Sequence, residues 1–259
     1  MRYLSSGLCV LVPLLTLGCT SFKPDTSLPA TVIASPNYDL RRPTMIVIHY
    51  TSNDEPERSI ETLTSPVRKV SAHYLVDGQG RLYQLVPETQ RAWHAGQSYW
   101  AGTTDINSTS IGIELDNNGS EPYKDTQINT LIALVKDMQE RHRIKPMNVV
   151  GHSDVAPGRK VDPGPYFPWA KLAESGIGLW CANPSATKTR EGVPLNDLLI
   201  GLGYDPKIPE QSREAFRSHY LSDGNGAVSG DDAKALLVAQ CLLDQIGSKT
   251  YLAPPPIVN

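Results

Sequence analysis

Short apolar runs, separated by stretches rich in glycine and proline, predict buried strands in the first two thirds of the chain. The run MIVIHY at 45–50 is continuous and rich in β-branched residues, as in a strand that is covered on both faces. The run IGIEL at 111–115 has the same character, and NVVG at 148–151 forms a shorter third strand. Two further runs flank the sequence DGQG at 77–80, which predicts a β-hairpin over 71–84.

A helical pattern lies at 125–143, between the predicted strands at 111–115 and 148–151. Its apolar residues recur at spacings of three and four, which places them on one buried face. They are Ile128, Leu131, Ile132, Val135 and Met138. Asp125 or Thr126 can cap the start of this helix. The order strand, hairpin, strand, helix, strand predicts an α/β fold with a mixed β-sheet flanked by helices.

The pattern changes after residue 181. Residues 182–193 are polar and turn-rich and are interpreted as a linker. Three short helical patterns follow at 195–205, 212–221 and 230–247, the last capped by Ser229 or Asp231. They predict a small three-helix domain over 194–259, with a core that is marginal for independent stability. The preceding domain is expected to span 43–181.

Composition and charge narrow the possible partners. The chain of 259 residues has 40% hydrophobic residues and a net charge of −3, which is ordinary for a globular protein of one large or two smaller domains. It lacks the basic footprint of a nucleic-acid-binding protein, so no nucleic acid partner is expected. We expect a monomer.

The four cysteines do not have the spacing of a cysteine zinc site. Cys181 and Cys241 can form one disulfide in an oxidising compartment. The favoured interpretation is two buried free thiols, since unpaired cysteine is commonly buried in protein cores.

The N-terminus has the pattern of an export signal. Arg2 precedes an apolar stretch of about 10 to 12 residues, which is too short to span a bilayer and fits a signal peptide over 1–18. The sequence Leu17-Gly18-Cys19 resembles a bacterial lipoprotein signal, which implies that Cys19 becomes the lipidated N-terminus. Proline-rich residues 19–42 then form a tether. Ordinary secretion with cleavage elsewhere is the alternative.

Polar residues at the ends of the buried strands are candidates for chemistry. His49 lies near the end of the first strand, where the sites of α/β proteins usually form, although a buried core histidine is the alternative. Glu114 shares with Gly112 the face opposite Ile111, Ile113 and Leu115. A carboxylate in an apolar strand is costly unless it is paired, neutral or used, so Glu114 is a candidate general base. Asp116 is its rival.

The loop GHSDVAPGRKVDPGPYFPW at 151–169 carries His152, Lys160 and Asp162. Its prolines and glycines predict a loop that breaks both helix and strand. If it folds back, His152 and Asp162 can reach one metal ion. A lysine beside that ion is useful only if an anion forms during a reaction. A zinc site needs a third protein ligand, which the residues of this loop do not identify.

Four stretches together resemble a known family. They are MIVIHYT at 45–51, RAWHAG at 91–96, SIGIEL at 110–115 and the loop at 151–169. They resemble the zinc-dependent N-acetylmuramoyl-L-alanine amidases, a group that includes T7-type lysozyme and the peptidoglycan recognition proteins, and in particular its periplasmic lipoprotein branch. The resemblance covers roughly residues 45–180 and implies a zinc site at the strand ends.

The resemblance also implies residue roles. His49, His152 and Asp162 would hold one Zn²⁺ per chain, with Glu114 as general base and Lys160 stabilising the oxyanion. The bond cut would join the lactyl group of N-acetylmuramic acid to L-alanine in peptidoglycan or muropeptides, during cell-wall turnover and recycling. The expected substrate contacts are Tyr50, Thr51, His73, Trp93 and His94.

The same resemblance places the protein in the bacterial periplasm, anchored through its N-terminal lipid to the outer membrane. The C-terminal helices resemble a peptidoglycan-binding module. Because every candidate catalytic residue precedes Cys181, a chain ending there is expected to cleave small soluble substrates. Two alternatives remain: a non-catalytic peptidoglycan receptor, and a zinc endopeptidase acting on stem peptides. All three ligands are present, which favours the enzyme over the receptor.

Overall fold

The centre of the protein is a five-stranded sheet. The computed structural model describes residues 41–53, 55–187 and 192–247, so the predicted signal peptide, Cys19 and nearly all of the tether lie outside the described residues. The strands are β1 (Met45–Tyr50), β2 (Tyr74–Val76), β3 (Leu82–Gln84), β4 (Ser110–Leu115) and β5 (Val149–Gly151). They are arranged in the order β3-β2-β4-β1-β5. Only β2 and β3 pair in antiparallel fashion, and this confirms the predicted hairpin and mixed sheet.

The register of β1 and β4 gives the sheet two different faces. Ile46 and Ile48 lie on the face that packs against the longest helix, α3 (Asp125–His142). Met45 and Val47 lie on the opposite face, in a second buried cluster. His49 belongs to this second face and pairs in register with Glu114 on β4. The functional candidates therefore emerge from one face, at the carboxyl ends of parallel strands.

Eight helices accompany the sheet in the described part of the chain. They are α1 (Pro56–Thr64), α2 (Ile106–Thr109), α3 (Asp125–His142), α4 (His152–Val155), α5 (Trp169–Glu174), α6 (Leu195–Leu202), α7 (Pro209–Tyr220) and α8 (Asp232–Gly247). Helix α3 confirms the predicted amphipathic helix, but its N-cap is Lys124 without a side-chain cap hydrogen bond, so the expected capping by Asp125 or Thr126 is wrong. Asp231 does cap α8, because its Oδ1 accepts from the backbone of Ala233 and Lys234.

Helices α6, α7 and α8 confirm the three predicted C-terminal helices. Their buried residues belong to the same cluster as Met45 and Val47 of the sheet. Cys181 and Cys241 form a disulfide, so the interpretation as free thiols is wrong. The reason is that the segment after α5 runs alongside α8, which brings two cysteines 60 positions apart within bonding distance. The domain boundaries at 181 and 194 stay a prediction.

No helix in the described part of the chain is long and apolar enough to cross a membrane.

Candidate metal centre and active-site cleft

Three side chains predicted as ligands converge on one point. His49 Nδ1 lies 2.9 Å from His152 Nδ1 and 3.1 Å from Asp162 Oδ2, and His152 Nδ1 lies 3.0 Å from Asp162 Oδ2. All three residues are buried. Donor atoms around a tetrahedral zinc ion with bonds near 2.1 Å are separated by about 3.4 Å, so this triangle is slightly compressed but of the right size.

The local backbone explains why residues ten positions apart meet. β5 ends at Gly151, and His152 begins the single turn of α4, a helical turn within the stretch predicted as loop. The chain then reverses, and the Ser153 N–H donates to the Asp162 carbonyl at 2.8 Å. This bond closes the loop and places the Asp162 carboxylate beside His152. His49 reaches the same point from the end of the neighbouring strand β1.

The donor set fits a bound cation. His152 Nε2 lies 3.1 Å from the Ala95 carbonyl, which can only accept, so Nε2 carries a proton and Nδ1 is the nitrogen that can ligate a cation. Its Nδ1 lone pair therefore faces the Asp162 carboxylate oxygen. Two acceptors 3.0 Å apart repel each other unless a positive charge lies between them.

The electrostatics favour a metal ion over a proton in that place. Burial, followed by the neighbouring His152, lowers the pKa of His49 to about 4, so this ring is neutral at neutral pH. Burial alone would raise the pKa of Asp162, but the adjacent imidazoles of His152 and His49 outweigh it and hold that pKa well below its usual range. Two neutral imidazoles and one carboxylate are a ligand set typical of catalytic zinc sites.

Glu114 lies beside this ligand cluster on β4. Its Oε2 atom is buried and has no hydrogen-bond partner among the described residues. Burial, and then the negative charge of Asp162, raise the pKa of Glu114 to about 8, whereas Lys160 acts in the opposite direction. A carboxyl group that is desolvated, unpaired and next to a metal site has the properties of a general base that works near neutral pH.

The ligands and Glu114 line one cleft of about 220 Å³, and Lys160 lies on its wall. The Lys160 side chain is exposed and forms no hydrogen bond or ion pair with the described residues. Its backbone N–H donates to the Ala156 carbonyl, which fixes the residue on the returning arm of the loop. The ammonium group is thus available to an anion that forms in the cleft.

Comparisons with known proteins place this cleft in a family. Residues 39–165 match the model of a family described as N-acetylmuramoyl-L-alanine amidase. The chain is 41% identical over 240 residues to N-acetylmuramoyl-L-alanine amidase AmiD of Escherichia coli K12, with 78% of this chain and 83% of that protein covered.

The chain belongs to the N-acetylmuramoyl-L-alanine amidase family.

Solved structures agree with this assignment. The complex of E. coli AmiD with anhydro-N-acetylmuramic acid-L-Ala-D-γ-Glu-L-Lys has a TM-score of 0.67 at 39% identity, covering 83% of this chain and 93% of that chain. AmpDh3 of Pseudomonas aeruginosa, in complex with anhydromuramic pentapeptide, has a TM-score of 0.69 at 32% identity, covering 91% of this chain and 100% of that one. Both similarities extend well beyond the 39–165 segment.

Four of the five expected substrate contacts line the cleft of this amidase. They are Tyr50, Thr51, Trp93 and His94. Trp93 is 52% exposed, so its ring face is available for stacking. His94 is buried, and its Nδ1 lies 3.0 Å from His49 Nε2. Burial of its ring, followed by the nearby His49 and His73, lowers the pKa of His94 well below its usual range.

The structure removes His73 from the substrate-facing set. Its ring is fully buried and does not line the cleft. His73 Nδ1 accepts from the Gly112 N–H at 3.0 Å, and its Nε2 lies 3.0 Å from the Gln90 carbonyl. Arg41 also covers the ring. His73 lies two residues before the buried Leu75, on the same side of the strand, and its ring contacts the β4 backbone at Gly112.

Asp116 is a poor rival to Glu114 for the role of base. It lies just beyond β4, is buried, and does not line the cleft. Its Oδ1 accepts hydroxyl hydrogen bonds from Ser59 at 2.7 Å and from Thr51 at 3.1 Å. Asp116 therefore ties α1 to the end of β1.

Sequence reasoning missed several residues of this site. Helix α1 is absent from the sequence-based expectations, yet it lines the cleft with Ser59, Thr62 and Leu63. The signal in the sequence is Pro56, because proline is common in the first turn of a helix. Trp100 is a packing residue, since it is buried and contacts Tyr204 at a ring distance of 5.0 Å.

Proposed function

We propose that this amidase uses a zinc ion held by His49, His152 and Asp162 to hydrolyse the amide bond between the lactyl group of N-acetylmuramic acid and L-alanine. The observation that carries the proposal is the unpaired Glu114 carboxyl next to three converging donors in one cleft. A metal-binding site that served only structure would not need a buried base beside it.

Zinc, when bound, supplies Lewis acidity that polarises a carbonyl and lowers the pKa of water toward 7 from about 15.7. Glu114 accepts a proton from the attacking water and then passes it to the nitrogen of the leaving L-alanine. Lys160, on the wall of the cleft, neutralises with its ammonium the oxyanion that develops on the attacked carbonyl. A well-placed donor of this kind contributes roughly 3 to 4 kcal/mol to lowering the barrier. His49, His152 and Asp162 keep their positions throughout.

The proposed substrate is a muramyl peptide, free or within peptidoglycan. The relative AmiD was solved with an anhydro-muramyl tripeptide, and AmpDh3 with an anhydromuramic pentapeptide. In this chain, the exposed face of Trp93 beside the ligands suits a sugar ring or an apolar peptide face. Helices α6 to α8 are proposed to help hold peptidoglycan, on the strength of their sequence resemblance to a binding module.

Digestion of purified sacculi and of small muropeptides, followed by mass spectrometry, tests the activity. The proposal expects free peptides that begin with L-alanine, loss of these products after chelation, and their return with added zinc. Cuts within the stem peptide would identify an endopeptidase instead, and binding without any product would identify a receptor. Measured zinc content of His152→Ala tests the ligand set: retention of stoichiometric zinc there contradicts it.

We also propose that Cys19 is lipidated and that the mature protein is a monomer tethered in the periplasm, at the outer membrane. The lipoprotein-like sequence before Cys19 and the proline-rich stretch after it support this proposal. Labelled fatty acid should be incorporated into the wild-type chain and not into Cys19→Ala, which should leave the membrane fraction with its activity intact. Equal labelling of both chains would contradict lipidation at Cys19.

A further inference from the structure

Three polar groups form a line of hydrogen-bonding contacts behind the zinc ligand His49: the His94 ring, the Ser110 hydroxyl and the Ile106 carbonyl. His49 Nε2 lies 3.0 Å from His94 Nδ1. The other nitrogen of that ring, His94 Nε2, lies 3.1 Å from the Ser110 hydroxyl. The Ser110 hydroxyl lies 2.5 Å from the carbonyl of Ile106. Ser110 is fully buried at the start of β4, so no solvent competes for these bonds.

We propose that Ser110 and His94 act as positioning residues that fix the tautomer of His49, so that its Nδ1 lone pair faces the metal. This inference rests on the zinc site proposed above. Nothing in the catalytic roles of Glu114 and Lys160 requires it.

The direction of the line follows from its far end. A carbonyl oxygen can only accept, so the single hydroxyl proton of Ser110 is donated to Ile106. The Ser110 oxygen is then left to accept, and His94 Nε2 must carry a proton. In a neutral ring this leaves His94 Nδ1 as an acceptor, so His49 must donate from Nε2. The other nitrogen of His49 is thereby left unprotonated for the ligand cluster.

The second imidazole ligand is fixed in the same manner by the next residue along the chain. His152 Nε2 donates to the Ala95 carbonyl at 3.1 Å. Arg159 donates to that same carbonyl and to the carbonyl of Gln97, which holds the segment in place. Residues 94–95 therefore contact the Nε2 atoms of both ligating rings, on the side away from the ligand cluster. Partners of this kind raise the basicity of the ligand and restrict its orientation.

Zinc affinity of the full-length protein tests the line. Ser110→Ala leaves the His94 Nε2–H without its acceptor, and His94→Leu removes the whole line; we expect the zinc Kd to rise roughly 10-fold and up to 100-fold respectively. His94→Asn restores an acceptor beside His49 and should recover most of the affinity. The matched control is Ser212→Ala, which removes another buried hydroxyl that donates to a backbone carbonyl, on α7 and outside the cleft lining.

A second measurement reads the tautomer itself. Long-range ¹H–¹⁵N spectra of the zinc-loaded, histidine-labelled protein should show His94 protonated at Nε2 and unprotonated at Nδ1. The opposite tautomer overturns the inference, as does an unchanged zinc Kd in both Ser110→Ala and His94→Leu. Failure of the wild-type protein to bind zinc at all is a different result, because it contradicts the proposed metal site rather than the line behind it.

Discussion

At the scale of single residues, the site combines Glu114, which lowers the stability of the folded chain, with Lys160, which does not have to be desolvated. Glu114 is half-buried, and its Oε2 is buried with no partner among the described residues, whereas Lys160 is exposed on the wall of the same cleft. A buried carboxyl with a raised pKa binds a proton more tightly in the folded chain than in the unfolded chain. Its presence therefore lowers stability at any pH where the unfolded carboxyl is ionised.

Glu114→Gln should consequently stabilise the zinc-free protein. The folded pKa of Glu114 is about 8 against an ordinary value of 4.5. Wild-type stability is therefore lost as pH rises from 4.5 toward 8, and the amide loses nothing. At pH 7 we expect a gain on the order of 3 kcal/mol in the free energy of unfolding, shrinking toward pH 4.5.

Chemical denaturation of the chelated protein at pH 5 and pH 8 measures this gain. Zinc should reduce the difference between the two chains, since a nearby cation favours the carboxylate. The exposed Glu140→Gln on α3 serves as the control and should show no such dependence. A gain that is the same at both pH values would contradict the raised pKa.

The Glu114→Gln variant should also keep its zinc and lose most of its kcat, because it retains the ligands but not the base.

Lys160→Ala should lower kcat with little change in KM or zinc content. The expected loss is roughly 100-fold, corresponding to about 3 kcal/mol of oxyanion stabilisation. The acidic limb of the pH–rate profile should survive at a lower rate in Lys160→Ala, but should lose the contribution of Glu114 in Glu114→Gln. Lys207→Ala, which changes an exposed lysine in the turn between α6 and α7, is the control. Kinetics unchanged by Lys160→Ala would remove Lys160 from the mechanism.

At the scale of elements, strand β4 organises the site through its alternation. Ser110, Gly112 and Glu114 share one face, while Ile111, Ile113 and Leu115 pack into the core on the other. These three positions differ in role. The Ser110 hydroxyl contacts His94, Gly112 leaves space for the His94 ring, and Glu114 places a carboxyl in the cleft. A Cβ at Gly112 would lie 2.4 Å from His94 Cγ, so only glycine leaves room for that ring.

Gly112→Ala should therefore displace His94 and weaken zinc binding without touching a ligand. We expect a zinc Kd at least 10-fold higher, because the ring that supports His49 can no longer lie against β4. Gly230→Ala is the matched control: a Cβ there meets nothing within 4 Å. Isothermal titration of both chains with zinc distinguishes them. Equal affinities would show that the ring finds another way to support His49.

The strands, α3 and the pairing of His152 with Asp162 could be predicted from the sequence because each has a local pattern, whereas the choice of His49 as third ligand came from the family resemblance. The strands are apolar runs, α3 has regular spacing, and the ligand loop carries its residues within one short stretch. Helix α2 and the turn of α4 are four residues each, too short to show periodicity. The role of Ser110 depends on residues brought together only by folding. His73 was misjudged because its covering partners, Arg41 and Gln90, are distant in sequence.

At the scale of the whole molecule, the C-terminal helices are attached to the ligand loop by a buried aspartate. Asp154, two positions after His152, accepts from Tyr204 at 2.6 Å, from His219 at 2.7 Å and from the Gly151 N–H at 2.7 Å. The His219 ring stacks on Trp169 at 3.7 Å. Two of the three donors to this carboxylate thus come from residues beyond the predicted linker, His219 on α7 and Tyr204 just after α6.

This arrangement changes the expectation for a shortened chain. From the sequence, a chain ending near Cys181 should fold and cleave small substrates. The structure shows that such a chain loses the Cys181–Cys241 disulfide, two donors to Asp154, and the side of the core that covers Met45 and Val47. A buried carboxylate left short of donors costs several kcal/mol, and exposed core favours aggregation.

We therefore expect a chain ended at residue 187 to melt at a much lower temperature than the full chain, or to be recovered insoluble. Tyr204→Phe isolates one part of this effect: losing a hydrogen bond to a buried carboxylate should lower the free energy of unfolding by about 1.5 to 3 kcal/mol. Tyr83→Phe removes a longer bond, 3.3 Å, to Asp77 near the hairpin and should cost less. If the shortened chain melts like the full one and still cleaves a small muropeptide, the catalytic domain is independent, as the sequence suggested, and the Asp154 contacts add little.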